Sequence, residues 1–201
     1  MSGKYHHGDL RSTLVATSLD LIAEQGMHAF SVAEVARRAK VSPGAPYRHF
    51  ADRDSLLAAV ACTVAQQLSA SVRQATTAHT EPGEQLAAAA GAYTEYLITR
   101  RAGLQVVFAA GLRGPQYAEL HEQTRTLMDE FLMLCLAVSS GPSEALELME
   151  QLLTQAHGYA AFQLDGVFAV HGYSVELVVR KSVDAARIVI LGHRGEPGER
   201  R

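Results

Sequence analysis

Between positions 31 and 57 the chain reads SVAEVARRAKVSPGAPYRHFADRDSLL, and the side chains there that could do chemistry are cations and hydroxyls. Arg37, Arg38, Lys40, Arg48 and Arg53 gather in this stretch, a set suited to phosphate oxygens rather than to proton transfer. Arg48 can make a bidentate contact to guanine, and a phosphate contact or a solvated surface charge accounts for it equally well. The elements that must hold these groups are written around them. Ser31 is placed to cap a helix, with Glu34 three residues on as the second half of a capping box. Val32, Val35, Ala36 and Ala39 then follow at helical spacing. Lys40-Val41 is the turn, with Val41 pointing inward. Ser42 caps a second helix with Pro43 at its first position, where a missing amide proton is harmless. Tyr47, His49 and Phe50 complete that helix, and Asp52 or Asp54 opens a third. A helix this short needs its neighbours to hold it, as a reader lying in a major groove does.

Catalytic groupings are poor by comparison. The sequence holds no Gly-x-Ser-x-Gly elbow, no phosphate-cradling glycine loop and no His-Glu-x-x-His, so no enzyme activity, cofactor or metal is expected. His121 and Glu122 are adjacent on a helix and diverge, and Asp129-Glu130 reads as solvated surface. Cys62 and Cys135 both fall in apolar helical settings, which argues for a reducing compartment and against a disulfide or zinc scaffold.

With 201 residues and 48% hydrophobic content the chain can build a sizeable core, and its net charge of −3 offers no global attraction to nucleic acid. The distribution differs from the total. Residues 1–60 carry seven Lys/Arg against six Asp/Glu, whereas 61–201 carry eleven against fifteen. The opening MSGKYHHGDLR has no apolar run, so no signal peptide is expected, and no uninterrupted apolar stretch approaches the ~18 residues of a membrane span. A cytoplasmic protein without a membrane partner follows.

Beyond residue 55 helical periodicity continues almost everywhere, divided by Gly and Pro. Helices are expected from Ser55 to about Ala75, from Pro82-Gly83 to near Arg101, over Leu104 to Ala110, over Gln116 to Val138, from Ser143 to about Leu164, and from a Ser174 cap to Leu191. Gly166 to Gly172 is a loop whose Val167-Phe168-Ala169-Val170 could form a buried turn. In the last helix Val175, Val178, Val179, Val183, Ala186, Ile188, Val189 and Ile190 cannot all face one small core. A helix apolar on more than one side needs a second partner, and two such helices from each of two chains make a four-helix interface.

Taken together, Ser31 with Glu34, Val41-Ser42, Tyr47-Arg48-His49-Phe50 and Arg53 resemble the DNA-binding domain of the TetR family of bacterial transcriptional regulators. The preceding helix, Leu10 to Gln25 closed by Gly26, is similar to the family's first helix, with Leu14, Leu19 and Ile22 inward and Phe30 behind the turn. The resemblance spans about residues 8–60. Lys40 departs from the usual turn glycine and must tolerate a positive φ, and Pro46 deletes one backbone bond within the reader. Further on, His157-Gly158-Tyr159 resembles a His-Gly signature of one TetR subgroup, without the tryptophan that commonly precedes it.

The resemblance implies that Pro43, Gly44 and Ala45 face base edges, offering only close backbone approach and a methyl for a thymine. It implies that Tyr47, His49 and Arg53 grip phosphates, with Ser31 and Ser42 at their helix starts; Tyr47 also suits packing. Lys4, Tyr5, His6 and Arg11 form either an arm against DNA or an untethered terminus. The expected fold is all-α: an N-terminal three-helix helix-turn-helix DNA-binding domain over 1–55, a larger helical ligand-binding and dimerisation domain over 56–194, and a flexible tail over 195–201. The expected function is that of a ligand-responsive homodimeric regulator, a repressor in most of the family, acting on a palindromic operator. Tyr93, Tyr96, Phe108, His121, Phe131, His157 and Phe162 are candidate contacts for a small-molecule effector, chiefly apolar with a few polar handles. The alternative is a helical small-molecule-binding protein whose DNA reader is vestigial.

Overall fold

The computed structural model describes residues 7–101, 104–107 and 109–194, and among these every regular element is helical. Phe108, the arm residues Lys4, Tyr5 and His6, and the tail 195–201 lie outside the described residues. In chain order the α-helices are α1 (His7–Gln25), α2 (Val32–Arg38), α3 (Arg53–Thr76), α4 (Pro82–Arg100), α5 (Leu104–Val107), α6 (Ala118–Leu136), α7 (Pro142–Leu164) and α8 (Val175–Arg194). Short 3-10 turns occupy Met27–Ala29, Pro46–Arg48, Ala110–Leu112, Pro115–Tyr117 and Phe168–His171. The expected helix at 104–110 is shorter than its periodicity suggested, ending at Val107.

The chain divides into two compact units, one comprising Met1–Ala65 with Arg100–Thr124 and the other Gln66–Thr99 with Arg125–Arg201. In the first, α1 buries Leu14, Leu21 and Ile22, and α2 buries Val32, Val35 and Ala36. Leu21, not the expected Leu19, is on the inward face. Counting from Leu14 by helical steps places Ser18 there too, buried, with its hydroxyl donating to the Leu14 carbonyl at 2.7 Å. That back-bond satisfies a polar group on an otherwise apolar stripe.

The second unit is organised by α4, α7 and α8, with α7 and α8 packed along one another. α4 turns Leu86, Ala90, Tyr93 and Leu97 inward. At Gly91 a Cβ would come within 2.5 Å of Val183 Cγ2, so α4 and α8 approach as closely as they do because position 91 lacks a side chain. Beside that contact the buried Thr94 hydroxyl lies 2.8 Å from Ser182 Oγ and 3.2 Å from the Ala156 carbonyl, tying three helices through polar atoms that are fully satisfied. Near the other end of α8, the Arg187 guanidinium clasps Glu84 of α4 in a bidentate pair, Nη2 at 2.6 Å.

α8 buries Val178, Ser182, Ala186 and Ile190 at four-residue spacing, while Ile188 (71% exposed) and Leu191 (65%) face away. Val167 and Val170 are also exposed, against the buried turn expected for 167–170. Gly166 and Gly172, both at positive φ, bracket this segment, and the Phe168 ring folds back, stacking on Tyr173 at 5.6 Å, with the His171 ring tilted against the same tyrosine at 5.6 Å. α3 is apolar enough to pass for a membrane span by length and composition, an 18-residue window of it having a mean hydropathy of 1.4, but 61% of that window is buried inside the protein.

Candidate nucleic-acid interface

α2 begins as its sequence dictates. Ser31, in an extended conformation, accepts the Glu34 amide on its hydroxyl at 3.2 Å. The reciprocal half of the expected capping box is replaced. Glu34 gives its carboxylate to Arg37 (Nη2 2.6 Å) and Arg38 (Nε 3.0 Å), stronger charge-assisted donors than a neutral amide. The hydrogen bonds from Arg37 and then Arg38 hold the Glu34 pKa down at about 2. Arg38 reaches on to Glu24 of α1 at 2.6 Å, pinning α2 to α1.

The helix ends in a Schellman turn: the Val41 amide donates to the Ala36 carbonyl (3.0 Å) and the Lys40 amide to that of Arg37 (3.2 Å). This geometry places Lys40 at φ 56°, the positive value expected where the turn residue is not glycine.

The reader that follows is not the α-helix expected from Ser42 onward. Pro46 has no amide to donate to Ser42, so an α-helix started there cannot close its first turn. The segment instead makes a turn (Ala45 amide to Ser42 carbonyl, 2.9 Å) and then the 3-10 helix Pro46–Arg48. Pro46 and Phe50 are buried and anchor it, whereas Ser42, Pro43, Gly44, Tyr47 and Arg48 are exposed, Tyr47 by 56%. An aromatic side chain so exposed between two buried anchors is directed outward by its scaffold. Ala45 and His49 are partly exposed.

Asp52 opens α3, accepting the Ser55 amide and hydroxyl, both at 2.7 Å, and these bonds lower its pKa. Arg53 lies over the Phe30 ring at 5.0 Å and pairs with Asp54 at 3.1 Å, and Arg11 lies over Phe50 at 5.2 Å. The basic cluster is therefore unevenly available: Arg37, Arg38 and Arg53 are paired with carboxylates. What remains is an outward face of hydroxyl, backbone, phenol and guanidinium, which can contact phosphates and present Arg48 to a base edge. Lys40, exposed at the turn, belongs with this face.

Of the candidate effector residues, Tyr93, Phe131 and His157 come together and the other described ones do not join them. Tyr93 and Phe131 are buried edge to face at 6.1 Å, and the Tyr93 hydroxyl lies 3.3 Å from His157 Nδ1. Burial raises the Tyr93 phenol pKa. Tyr96 donates to Gln67 at 3.1 Å. His121 belongs to the first unit, 3.1 Å from the Leu112 carbonyl, and Phe162 is 52% exposed against Phe168. An open cleft of about 560 Å³ in the second unit is lined mainly by other residues, among them Arg73, Gln85, Asp129 and Glu130. Most of its lining comes from solvent-side positions, which hydrophobic periodicity passes over. Among the described residues no group of His, Cys, Asp and Glu is arranged to hold a metal ion.

Two family models match the chain: residues 14–60 match bacterial regulatory proteins of the tetR family, and residues 86–186 match the tetracyclin repressor-like C-terminal domain. The chain belongs to the TetR family. It is 25% identical over 156 residues to the HTH-type transcriptional regulator HbdR of Aromatoleum sp. (strain CIB), covering 75% of this chain and 68% of that one. It is 41% identical over 58 residues to the HTH-type transcriptional regulator BetI of Klebsiella pneumoniae (strain 342), a match covering 29% of this chain and 30% of that regulator. A solved structure of a protein with unknown function from Rhodococcus sp. RHA1 superposes with a TM-score of 0.76 at 27% identity, covering 93% of this chain and 98% of that one. A TetR-family transcriptional regulator from Streptomyces coelicolor shares the fold with a TM-score of 0.69 at 17% identity, over 93% and 97% of the two chains. As a TetR-family member the protein is a DNA-binding transcriptional regulator with a helix-turn-helix N-terminal domain and a larger helical C-terminal domain.

Proposed function

We propose that this TetR-family protein is a homodimeric, effector-responsive repressor without enzymatic activity, acting in the cytoplasm on an approximately palindromic operator. The observation that carries the reading is the outward face from Ser42 to Arg48, held by buried Pro46 and Phe50 and exposing Tyr47 and Arg48. In this reading Ser31, Ser42, Tyr47 and His49 contact phosphates, and Arg53, exposed beside Asp54, exchanges that carboxylate for a phosphate oxygen. Pro43, Gly44 and Ala45 let the backbone approach the bases, and Arg48 supplies the base contact. The division of labour is a reader over 1–55 and an effector and dimerisation region over 56–194. Dimerisation is supported by the exposed Leu146, Ile188 and Leu191 on α7 and α8, apolar surface that a second copy would cover.

Effector binding is assigned to the second unit, near Tyr93, Phe131 and His157, in keeping with the His157-Gly158 subgroup signature. Gln163 of α7 also has a side-chain oxygen buried without a protein partner, which a polar group could use. An effector would act only through its different affinity for DNA-competent and DNA-incompetent forms.

The test is selection of bound sequences from random duplex DNA by the purified full chain at two salt concentrations. Enrichment of a palindrome, weaker binding at high salt and loss of binding in Arg48→Ala or Tyr47→Ala are expected. The absence of side-chain hydrogen-bonding groups at Pro43, Gly44 and Ala45 favours one other reading, a ligand-binding protein with a vestigial reader. A folded dimer that enriches no sequence would establish that reading instead.

A further inference from the structure

The turn between α2 and the reader places a lysine where glycine serves the fold better. Lys40 is at φ 56°, a conformation in which a Cβ crowds the backbone, and both hydrogen bonds of its Schellman turn are made by backbone atoms that glycine would supply equally well. A side chain retained against its backbone preference points to a use for that side chain. Within the fold the ammonium has no evident use. Of the cations around the reader, Arg37, Arg38 and Arg53 are engaged by Glu34, Glu24 and Asp54, whereas among the described residues Lys40 and Arg48 have no carboxylate at ion-pair distance. Lys40 is exposed and lies two positions before Ser42, where the outward face begins. That face offers no charge until Arg48, because Pro43, Gly44 and Ala45 have no polar side chains.

We infer that Lys40 is a DNA-binding residue, its ammonium contacting a backbone phosphate that flanks each half-site. The inference rests on the operator-binding reading above. A flexible ammonium is a point charge without directional fork geometry, so the contact adds affinity and salt dependence without base preference.

The experiment compares the wild-type full chain with Lys40→Gly and Lys40→Arg on the selected duplex and on an unrelated duplex, over a range of salt, with thermal unfolding measured alongside. Lys40→Gly relieves the turn, so its melting temperature should rise and any loss of binding cannot be ascribed to misfolding. Removing one phosphate contact from each protomer should make the slope of log K against log salt shallower by about 1.8, so the wild type's advantage over the variant shrinks about twelve-fold between about 50 and about 200 mM salt. The loss should be the same on both duplexes, and Lys40→Arg should keep wild-type binding. A Lys40→Gly protein with wild-type affinity and slope would overturn the assignment while leaving the operator reading intact, as would Lys40→Arg behaving like Lys40→Gly. Failure of the wild type to bind any duplex would overturn both.

Discussion

Gly91→Ala tests the α4–α8 packing through a change of sign. The added methyl would sit 2.5 Å from Val183 Cγ2, more than an ångström inside the ~3.5–4.0 Å of a normal carbon contact. Val183 relieves this poorly, since a β-branched residue in a helix has essentially one rotamer. Moving the helices apart instead stretches the 2.8 Å Thr94–Ser182 hydrogen bond next to the contact. Overpacking of this kind costs about 1–3 kcal/mol. Against it stands the gain from replacing glycine by alanine within a helix, about 0.8–1 kcal/mol. In the wild-type background the net effect should be a loss of roughly 0–2 kcal/mol once these offset. In a Val183→Ala background the clash is gone and the same substitution should stabilise by about 1 kcal/mol. The coupling between the two positions is then about 1–3 kcal/mol. Thermal unfolding followed by circular dichroism, at one protomer concentration throughout, would show it, since each kcal/mol moves Tm by about 2–4 °C in a chain of this size. If Gly91→Ala raised Tm equally in both backgrounds, the close approach of α4 and α8 at this point would be refuted.

Other outcomes are accessible with simpler variants. Glu34 is held at about 2 against an ordinary 4.5, so its contribution to stability is complete above the ordinary value and is lost as pH falls through that value towards 2. Glu34→Gln should therefore lower Tm at neutral pH and flatten the acid side of the Tm–pH curve; an unchanged curve would contradict the Arg37–Glu34–Arg38 arrangement. Burial raises the Cys62 thiol to about 11 and the Cys135 thiol to about 12, so neither should react with a thiol reagent at neutral pH until the protein is unfolded. Prompt modification of the folded protein would show either site to be open. Replacing Ile188 and Leu191 together by glutamate should shift the protein from dimer to monomer in sedimentation, and a dimer that survives would move the interface elsewhere on the surface.

Much of the fold was legible because its signals are local. Ser31, Asp52 and Ser174 cap helices through their own hydroxyl or carboxylate, and these caps depend only on residues three positions away. Gly141-Pro142 opens α7 for the same kind of reason, a fixed φ at a position needing no amide. The reader was legible in its residues but not in its conformation: the missing Pro46 amide outweighed the helix-start signal of Ser42-Pro43. Leu19 gave way to Leu21 because the hydroxyl of Ser18 could satisfy itself on the inward stripe. The effector candidates were legible only as apolar positions, since helical spacing selects apolar faces without stating which faces meet.

What the sequence determined by itself was the set of long helices, most of their caps and breaks, and the strained turn at Lys40, because each arises from steric and hydrogen-bonding preferences within a few residues. Tertiary structure alone decided the pairings that cross between helices, such as Arg38 with Glu24 of α1, whereas Arg37 and Arg38 meet Glu34 at helical spacing within α2. Glu34 could have capped its own helix, but two guanidinium groups, one also held by Glu24 from α1, bid for it more strongly. Thr94 met Ser182, and Arg187 met Glu84, across long stretches of chain because α4 and α8 approach closely at Gly91. Partners of that kind are chosen by distance in space, where a charge-assisted bond or a buried hydroxyl gains most, and sequence separation carries no record of it.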